Sequence, residues 1–292
     1  MTRRRPPRPT IDDRSNPKRP GGHAMRCALI IPAAGASRRF GEGDKLGQDF
    51  GGRPLLLRSI EPFTKRDDVD AVIVAGPPED LDAFRDRYGP QLSFLGGKVV
   101  AGGRLERWET VRNALEAVPE GCTHVAIHDA ARPLVDEALI ARVFEAASSF
   151  NAVVPGVPVR DTLKRGDHQV VEGAERDATV DSILGIGADE ETPEIGHQIS
   201  ARRIVGTVDR TDLWRMQTPQ VFTVDLIRRA YAQSDLEGAT DDAMLVERLG
   251  EPVMIVEGSE RNLKVTTAED LVVARAISGA GSSTSRPSHK RF

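Results

Sequence analysis

Short apolar runs alternate with helical patterns through the first half of the chain, and this alternation limits its possible folds more than any other feature. The runs are Ala28–Ile31, Ala71–Ala75, Val99–Val100, His124–Ile127 and Ala152–Val157. Each is as short as a buried strand and lacks helical periodicity. Helical patterns fill the gaps at Leu55–Lys65, Pro78–Arg87, Arg104–Val118 and Asp136–Ser149. In the last of these, Leu139, Ile140, Val143, Phe144 and Ala147 share one face. Strands joined through helices by short connections require right-handed crossovers, and so an α/β fold with a doubly wound, mostly parallel sheet. Further on, Val224–Gln233 and Asp241–Leu249 are expected helices, with Thr240 placed to cap the second and Asp241 and Asp242 at its start, read as carboxylates drawn to the helix N-terminus in preference to metal contacts. Val253–Val256 is a final strand and Thr267–Ile277 a closing helix.

Composition fits this architecture. The chain has 292 residues, 39% hydrophobic and 4% aromatic, so its core must be Val, Ile, Leu and Ala, as in a parallel sheet covered by helices. A formal net charge of −4 gives no reason to expect nucleic acid as the main partner. No run approaches the ~18 apolar residues of a membrane span. The two cysteines, Cys27 and Cys122, lack metal spacing and are too few for a disulfide framework, which suits a reducing cytoplasm. Residues 1–24 hold seven basic residues, two aspartates and five prolines, and are expected to be a disordered extension. Met25 is then a candidate start, and a Gly/Ser-rich tail begins at Ser278.

Chemistry is expected where strands end, because a doubly wound sheet binds ligands at the carboxyl ends of its strands. After Ile31 come Pro32-Ala33-Ala34-Gly35, then Arg38, Arg39 and Lys45. Small residues let a ligand approach the backbone, whose N–H groups cradle phosphate, and the cations supply fixed positive charge. The implied ligand is a nucleoside triphosphate. The pattern is neither a Walker loop nor a dinucleotide fingerprint. The plainer alternative is a tight turn with solvent-facing arginines. After Ile127 come His128-Asp129-Ala130-Ala131-Arg132-Pro133. Here Asp129 is a candidate magnesium ligand and Arg132 a candidate phosphate clamp. The alternative is a local Asp–Arg pair closing a turn, with His128 a packed spacer.

These segments stand in order with Gly102-Gly103 and Arg107, the run from Pro158 through Arg160-Asp161-Thr162-Leu163-Lys164, Thr207-Val208-Asp209-Arg210, Thr218-Pro219-Gln220, and Asn262-Leu263-Lys264-Val265-Thr266. The set resembles the 2-C-methyl-D-erythritol 4-phosphate cytidylyltransferases, over about residues 26–277. The resemblance implies attack of a sugar-alcohol phosphate on the α-phosphorus of CTP, with pyrophosphate leaving and magnesium or another divalent cation bridging phosphates. By the same resemblance Arg39, Lys45 and Lys264 serve catalysis. Ala33, Ala34, Gly35, Gly102, Gly103, Arg107, Thr110 and Asp129 would hold CTP, although the family usually has serine where Thr110 stands. Arg132, Thr162, Arg210 and Thr218 would hold the sugar phosphate.

The resemblance also implies a cytidylyltransferase domain over 25–277 and an extended β-arm, about residues 157–210, used in a homodimer with shared sites. Its strands would be Val157–Lys164 and Ile204–Arg210. Between them residues 165–206 carry nine acidic and four basic residues, an expected solvated insertion. A second possibility there is a partner-docking element around Val180–Ile186. Two other functions stay open: the same transfer to another sugar phosphate such as ribitol 5-phosphate, and a nucleotide-binding module without catalysis.

Overall fold

The computed structural model describes residues 25–35, 38–41, 43–172 and 200–279. The N-terminal extension over 1–24, the Val180–Ile186 segment and the tail beyond residue 279 lie outside the described residues. The described chain divides into two compact units, one reaching Val157 and resuming at Met216, the other Pro158–Arg215.

In the first unit β1 (Cys27–Pro32), β2 (Val69–Gly76), β3 (Gly97–Ala101), β4 (His124–Ile127) and β5 (Ala152–Pro158) alternate with helices. The helices are α1 (Leu55–Ile60), α2 (Leu81–Phe94), α3 (Arg107–Leu115) and α4 (Glu137–Ala147). The second unit contributes β6 (Leu163–Glu172) and β7 (Ser200–Val208), and β8 (Trp214–Met216) spans the return to the first. β9 (Gln220–Thr223), α5 (Val224–Tyr231), α6 (Asp242–Arg248), β10 (Met254–Glu257) and α7 (Ala268–Ser278) complete the first unit.

The main sheet runs in the order β10-β5-β9-β4-β1-β2-β3. β1 pairs in parallel with both β2 and β4, so strand order departs from it in opposite directions. β9 is the exception, antiparallel to β4 and β5. Because β1 is central, its two faces are both buried: Cys27, Leu29 and Ile31 enter one core, Ala28 and Ile30 the other. The first core takes α1, α2, α4 and α7, and the second α3, α5 and α6. That two-sided burial is why β1 is a continuous apolar run rather than an alternating one.

The five buried residues of the α4 stripe are the ones its spacing marks out, and Asp136 caps the helix by accepting from the Leu139 N–H at 2.8 Å. Elsewhere boundaries move. The expected first helix ends at Ile60 and is followed by a 3₁₀ turn, Phe63–Lys65. α2 continues past Arg87 to Phe94 with Pro90 inside it. α6 is capped by Asp241, whose carboxylate accepts from Met244 N at 3.0 Å, and not by Thr240. A carboxylate interacts more strongly with the helix N-terminus than a hydroxyl one residue earlier.

In the second unit β6 and β7 form an antiparallel hairpin from Leu163↔Val208 to Glu172↔Ser200. The strands therefore continue beyond the expected limits at Lys164 and Ile204, into the acidic segment. Val170, Val171, Ile204 and Val205 are β-branched and favour extended backbone whatever the net charge around them. Lys164 Nζ also donates across the hairpin to Thr207 Oγ1 at 2.6 Å.

Candidate active site

The loops after β1 and β4 adjoin because their strands do; His128 N donates to Ile30 O at 2.9 Å. This is the switch point of the sheet, where a doubly wound fold opens a crevice.

One wall of the crevice consists of small residues. Ala33 N donates to Ala75 O at 2.8 Å, extending β1 by one residue, and Ala34 and Gly35 follow. A Cβ on Gly102 would stand 2.6 Å from Ala34 Cβ and 2.9 Å from Thr110 Cγ2, so only glycine lets these segments close up. A Cβ on Gly103 would stand 2.2 Å from that of Glu109. Thr110 Oγ1 accepts from Gly103 N at 3.0 Å, and Asn113 Nδ2 donates to Gly102 O at 2.9 Å. By contrast a Cβ on Gly35 would meet nothing within 4 Å among the described residues. The Glu106–Glu109 capping box starts α3 beside this wall and puts Arg107 at the first turn.

Asp129 is the electrostatic centre. Its Oδ2 lies 3.0 Å from Lys264 Nζ and 3.1 Å from Arg132 Nε, and its Oδ1 lies 3.8 Å from Arg107 Nε. Burial alone would raise its pKa, but Lys264, Arg107 and Arg132 outweigh it and hold the carboxyl below the usual carboxylate range. The Asp129–Arg132 turn pair exists, as the plainer sequence alternative has it, within a larger ring of cations. Arg107 Nη2 is also 2.7 Å from Oδ2 of the fully buried Asp242, which accepts from the Tyr231 hydroxyl at 2.5 Å.

The Asn262–Val265 loop is tied to this centre. Arg132 Nη1 donates to Asn262 O at 2.8 Å, and Val265 N to Ala131 O at 2.8 Å. Asn262 Nδ2 donates to Thr218 O at 2.9 Å. Thr218 Oγ1 in turn accepts from Asp129 N at 3.0 Å. Lys45 joins the same field: burial lowers its pKa, Lys264 and Arg39 lower it further, and Asp129 opposes them. Lys45 is half-buried and Arg39 exposed.

His128 is fully buried and pushed down to about 4 by that burial. Its Nε2 lies 3.3 Å from Arg132 O, a pure acceptor, so Nε2 carries the proton and Nδ1, 3.0 Å from Thr218 Oγ1, accepts. It links two loops as the spacer expected of it.

Ala33, Ala34, Gly35, Gly102, Gly103, Arg107, Thr110, Asp129, Arg132 and Thr218 of the sequence-derived set thus line one edge of the sheet, with Arg39, Lys45 and Lys264 in a shared electrostatic field there. Thr162 and Arg210 belong to the second unit, where they flank the Leu163–Val208 end of the hairpin. Sequence reasoning missed the duties of Asp242 and Asn262. Asp242 follows a helix cap and looks like a second capping acid, while Asn262 acts through its side-chain amide on Thr218 and its carbonyl under Arg132, partners distant in sequence.

Among the described residues no group of three or more His, Cys, Asp or Glu is placed to hold a metal ion. Asp129 already faces three cations. Magnesium keeps its waters and favours phosphate oxygens, so these residues suit a cation that arrives on a triphosphate, not a protein-built cage.

A wall of small residues and a ring of fixed cations at the switch point of a doubly wound sheet define a nucleotidyltransferase. Similarity to known proteins makes the class particular. A family model, 2-C-methyl-D-erythritol 4-phosphate cytidylyltransferase, matches residues 27–183 and 195–279, and the chain belongs to that family. A protein of that name from Rhodococcus jostii is 39% identical over 251 residues, which is 85% of this chain and 93% of that one. Another from Caldanaerobacter subterraneus is 36% identical over 254 residues, 86% of this chain and 97% of that one. Against the bifunctional enzyme IspD/IspF of Desulfotalea psychrophila identity is 34%, and the chain spans 55% of that protein's length. The solved 2-C-methyl-D-erythritol 4-phosphate cytidylyltransferase of Thermus thermophilus is 33% identical with a TM-score of 0.61, covering 87% of this chain and 100% of that one.

Proposed function

We propose that this protein transfers the cytidylyl group of CTP to 2-C-methyl-D-erythritol 4-phosphate, in the synthesis of isoprenoid precursors. A phosphate oxygen of the sugar phosphate attacks the α-phosphorus of CTP, the bond to the β-phosphate breaks, and pyrophosphate leaves. A phosphate monoester is already a nucleophile, so the work is positioning and neutralising charge. Lys45, Arg39 and Lys264 supply that charge around the triphosphate. Ala33, Ala34, Gly35, Gly102, Gly103, Arg107 and Thr110 hold the cytidine end. Arg132 and Thr218 contact the sugar phosphate. Asp129 keeps Lys264 and Arg132 in place and is the one side chain we assign to magnesium, which would supply charge neutralisation on the phosphates.

The observation that carries this reading is the Asp129 ring, where cations from three separate segments, Arg107, Arg132 and Lys264, converge on one carboxylate beside the small-residue wall. We further assign Thr162 and Arg210 to the sugar phosphate bound by a second copy in a homodimer, Arg210 through its planar fork. A cytoplasmic setting accords with the free thiols of Cys27 and Cys122. No helix among the described residues is long and apolar enough to cross a membrane.

The test is pyrophosphate release by the purified protein with CTP and magnesium. Release with 2-C-methyl-D-erythritol 4-phosphate but not with ribitol 5-phosphate is the expected result. The reverse preference would overturn the substrate, and release with neither would overturn the activity.

A further inference from the structure

Lys45 sits on a loop, and loop side chains reach a transition state reproducibly only if their backbone is held from behind. The residue before it supplies the hold. Asp44 Oδ1 accepts from Leu46 N at 2.9 Å, closing a turn around Lys45. Its Oδ2 accepts from the Tyr88 hydroxyl and lies 2.8 Å from Arg87 Nη1. Arg87 and Tyr88 are consecutive on α2. Tyr88 is 2% exposed, and its ring lies 4.9 Å, centroid to centroid, from that of Phe84. Arg87 lies across the Tyr88 ring, its guanidinium carbon 5.4 Å from the ring centroid.

Gly47 completes the arrangement. A Cβ there would stand 2.3 Å from Arg87 Nη2 and 2.8 Å from Asp44 Oδ2. The loop therefore lies against the ion pair, and a methyl group at Gly47 would have to push the end of the Arg87 side chain aside. Leu46, next in the chain, is buried, and its carbonyl accepts from Leu56 N at 3.1 Å. The loop is anchored on both sides of Lys45, toward α2 by a carboxylate and toward α1 by its backbone.

We propose that Asp44, held by Tyr88 and Arg87, is a positioning residue for Lys45: it fixes the backbone from which the ammonium reaches the triphosphate, and so governs the rate of transfer more than the affinity for either substrate. The inference rests on the role given to Lys45 under the proposed function. Asp44 touches no reacting atom in this account. Its contribution is geometric, and small displacements of a charged group in phosphoryl-type transfer are costly.

The test is a cycle of four proteins, wild type, Tyr88→Phe, Lys45→Ala and the double variant, assayed for kcat and for KM of both substrates. Tyr88→Phe removes one hydroxyl and keeps the ring. It is expected to lower kcat about tenfold with both KM values within about twofold. In the Lys45→Ala background the same change should have almost no further effect, because the group being positioned is gone. A Tyr88→Phe protein with wild-type kcat would overturn the proposal, and so would a loss equally large in both backgrounds, which marks a general structural role. A Lys45→Ala protein within about tenfold of wild type overturns the role of Lys45 itself, a distinct failure. Should Tyr88→Phe not fold, Gly47→Ala displaces Arg87 from Asp44 and is expected to lower kcat in the same Lys45-dependent way.

Discussion

Lys264 and Asp129 form an ion pair of 3.0 Å between loops that β4 and α7 place far apart in sequence, and Asp129 is nearly buried while Lys264 is 41% exposed. The buried partner is the anchor and the exposed one is available to a ligand. Removing the anchor leaves Lys264 and Arg132 without their shared counter-ion.

Asp129→Asn is accordingly expected to lower kcat/KM about 100-fold, or ~2.7 kcal/mol, in steady-state assays with CTP and the sugar phosphate. Activity within threefold of wild type would reduce Asp129 to a packing role.

Two glycines separate folding from ligand contact. Gly102→Ala forces a methyl group against Ala34 and Thr110, and should cost about 1–3 kcal/mol in chemical denaturation. Gly35→Ala meets no atom of the described residues within 4 Å, so the midpoint should stay at the wild-type value. If CTP occupies that space, Gly35→Ala raises KM for CTP all the same. An unchanged KM would place the nucleotide elsewhere.

Burial, together with Lys264 and Arg39, lowers the pKa of Lys45, so it loses its proton at a lower pH than a free lysine. The charge it lends the triphosphate is present at low pH and disappears as pH rises through that lowered value. The kcat/KM profile should therefore fall on its alkaline side. In Lys45→Arg that fall should be absent even if the plateau is lower, because arginine keeps its charge. An identical alkaline limb in both proteins would assign it to another group.

His128 should appear in the pH dependence of stability. Its pKa is 6.5 in the unfolded chain and about 4 when folded, so the unfolded state binds the proton over that window. Its contribution is complete above pH 6.5 and is lost as pH falls toward 4, in total roughly 3 kcal/mol. Melting curves between these limits should fall less steeply for His128→Gln than for wild type. Parallel curves would show that His128 does not carry the acid sensitivity.

Much of this was visible in the residues. The unbroken apolar run Ala28–Ile31 of β1 and the periodic stripe Leu139–Ala147 of α4 are local patterns, which a linear chain displays openly. The small residues at Ala33–Gly35 and Gly102–Gly103 mark the wall of the crevice, because close approach of backbone excludes larger side chains. What stayed hidden depends on distant partners. Asp242 beside Arg107, and the Asn262 carbonyl beneath Arg132, have meaning only once α6 and the last loop have packed. Asp241 and Thr240 both suit a helix start, and one residue of register decides which one caps. In β6 and β7 the acidic count pointed to a solvated segment, while Val170, Val171, Ile204 and Val205 had the stronger local preference.

The antiparallel β9 has one more consequence, for the order in which the molecule is made. β1 to β4 and their helices can stack as they leave the ribosome, which sets up the glycine-lined wall early. Asp129 obtains its contacts with Thr218 and Lys264, and Arg132 its contact with Asn262, only after β9 and the loop before α7 have been synthesised. A nascent chain halted before residue 218 would hold the carboxylate without its tethering partners. The chemistry should therefore switch on only once residues 218–264 have been made, and a chain stalled before them should be inert even where its sheet is formed.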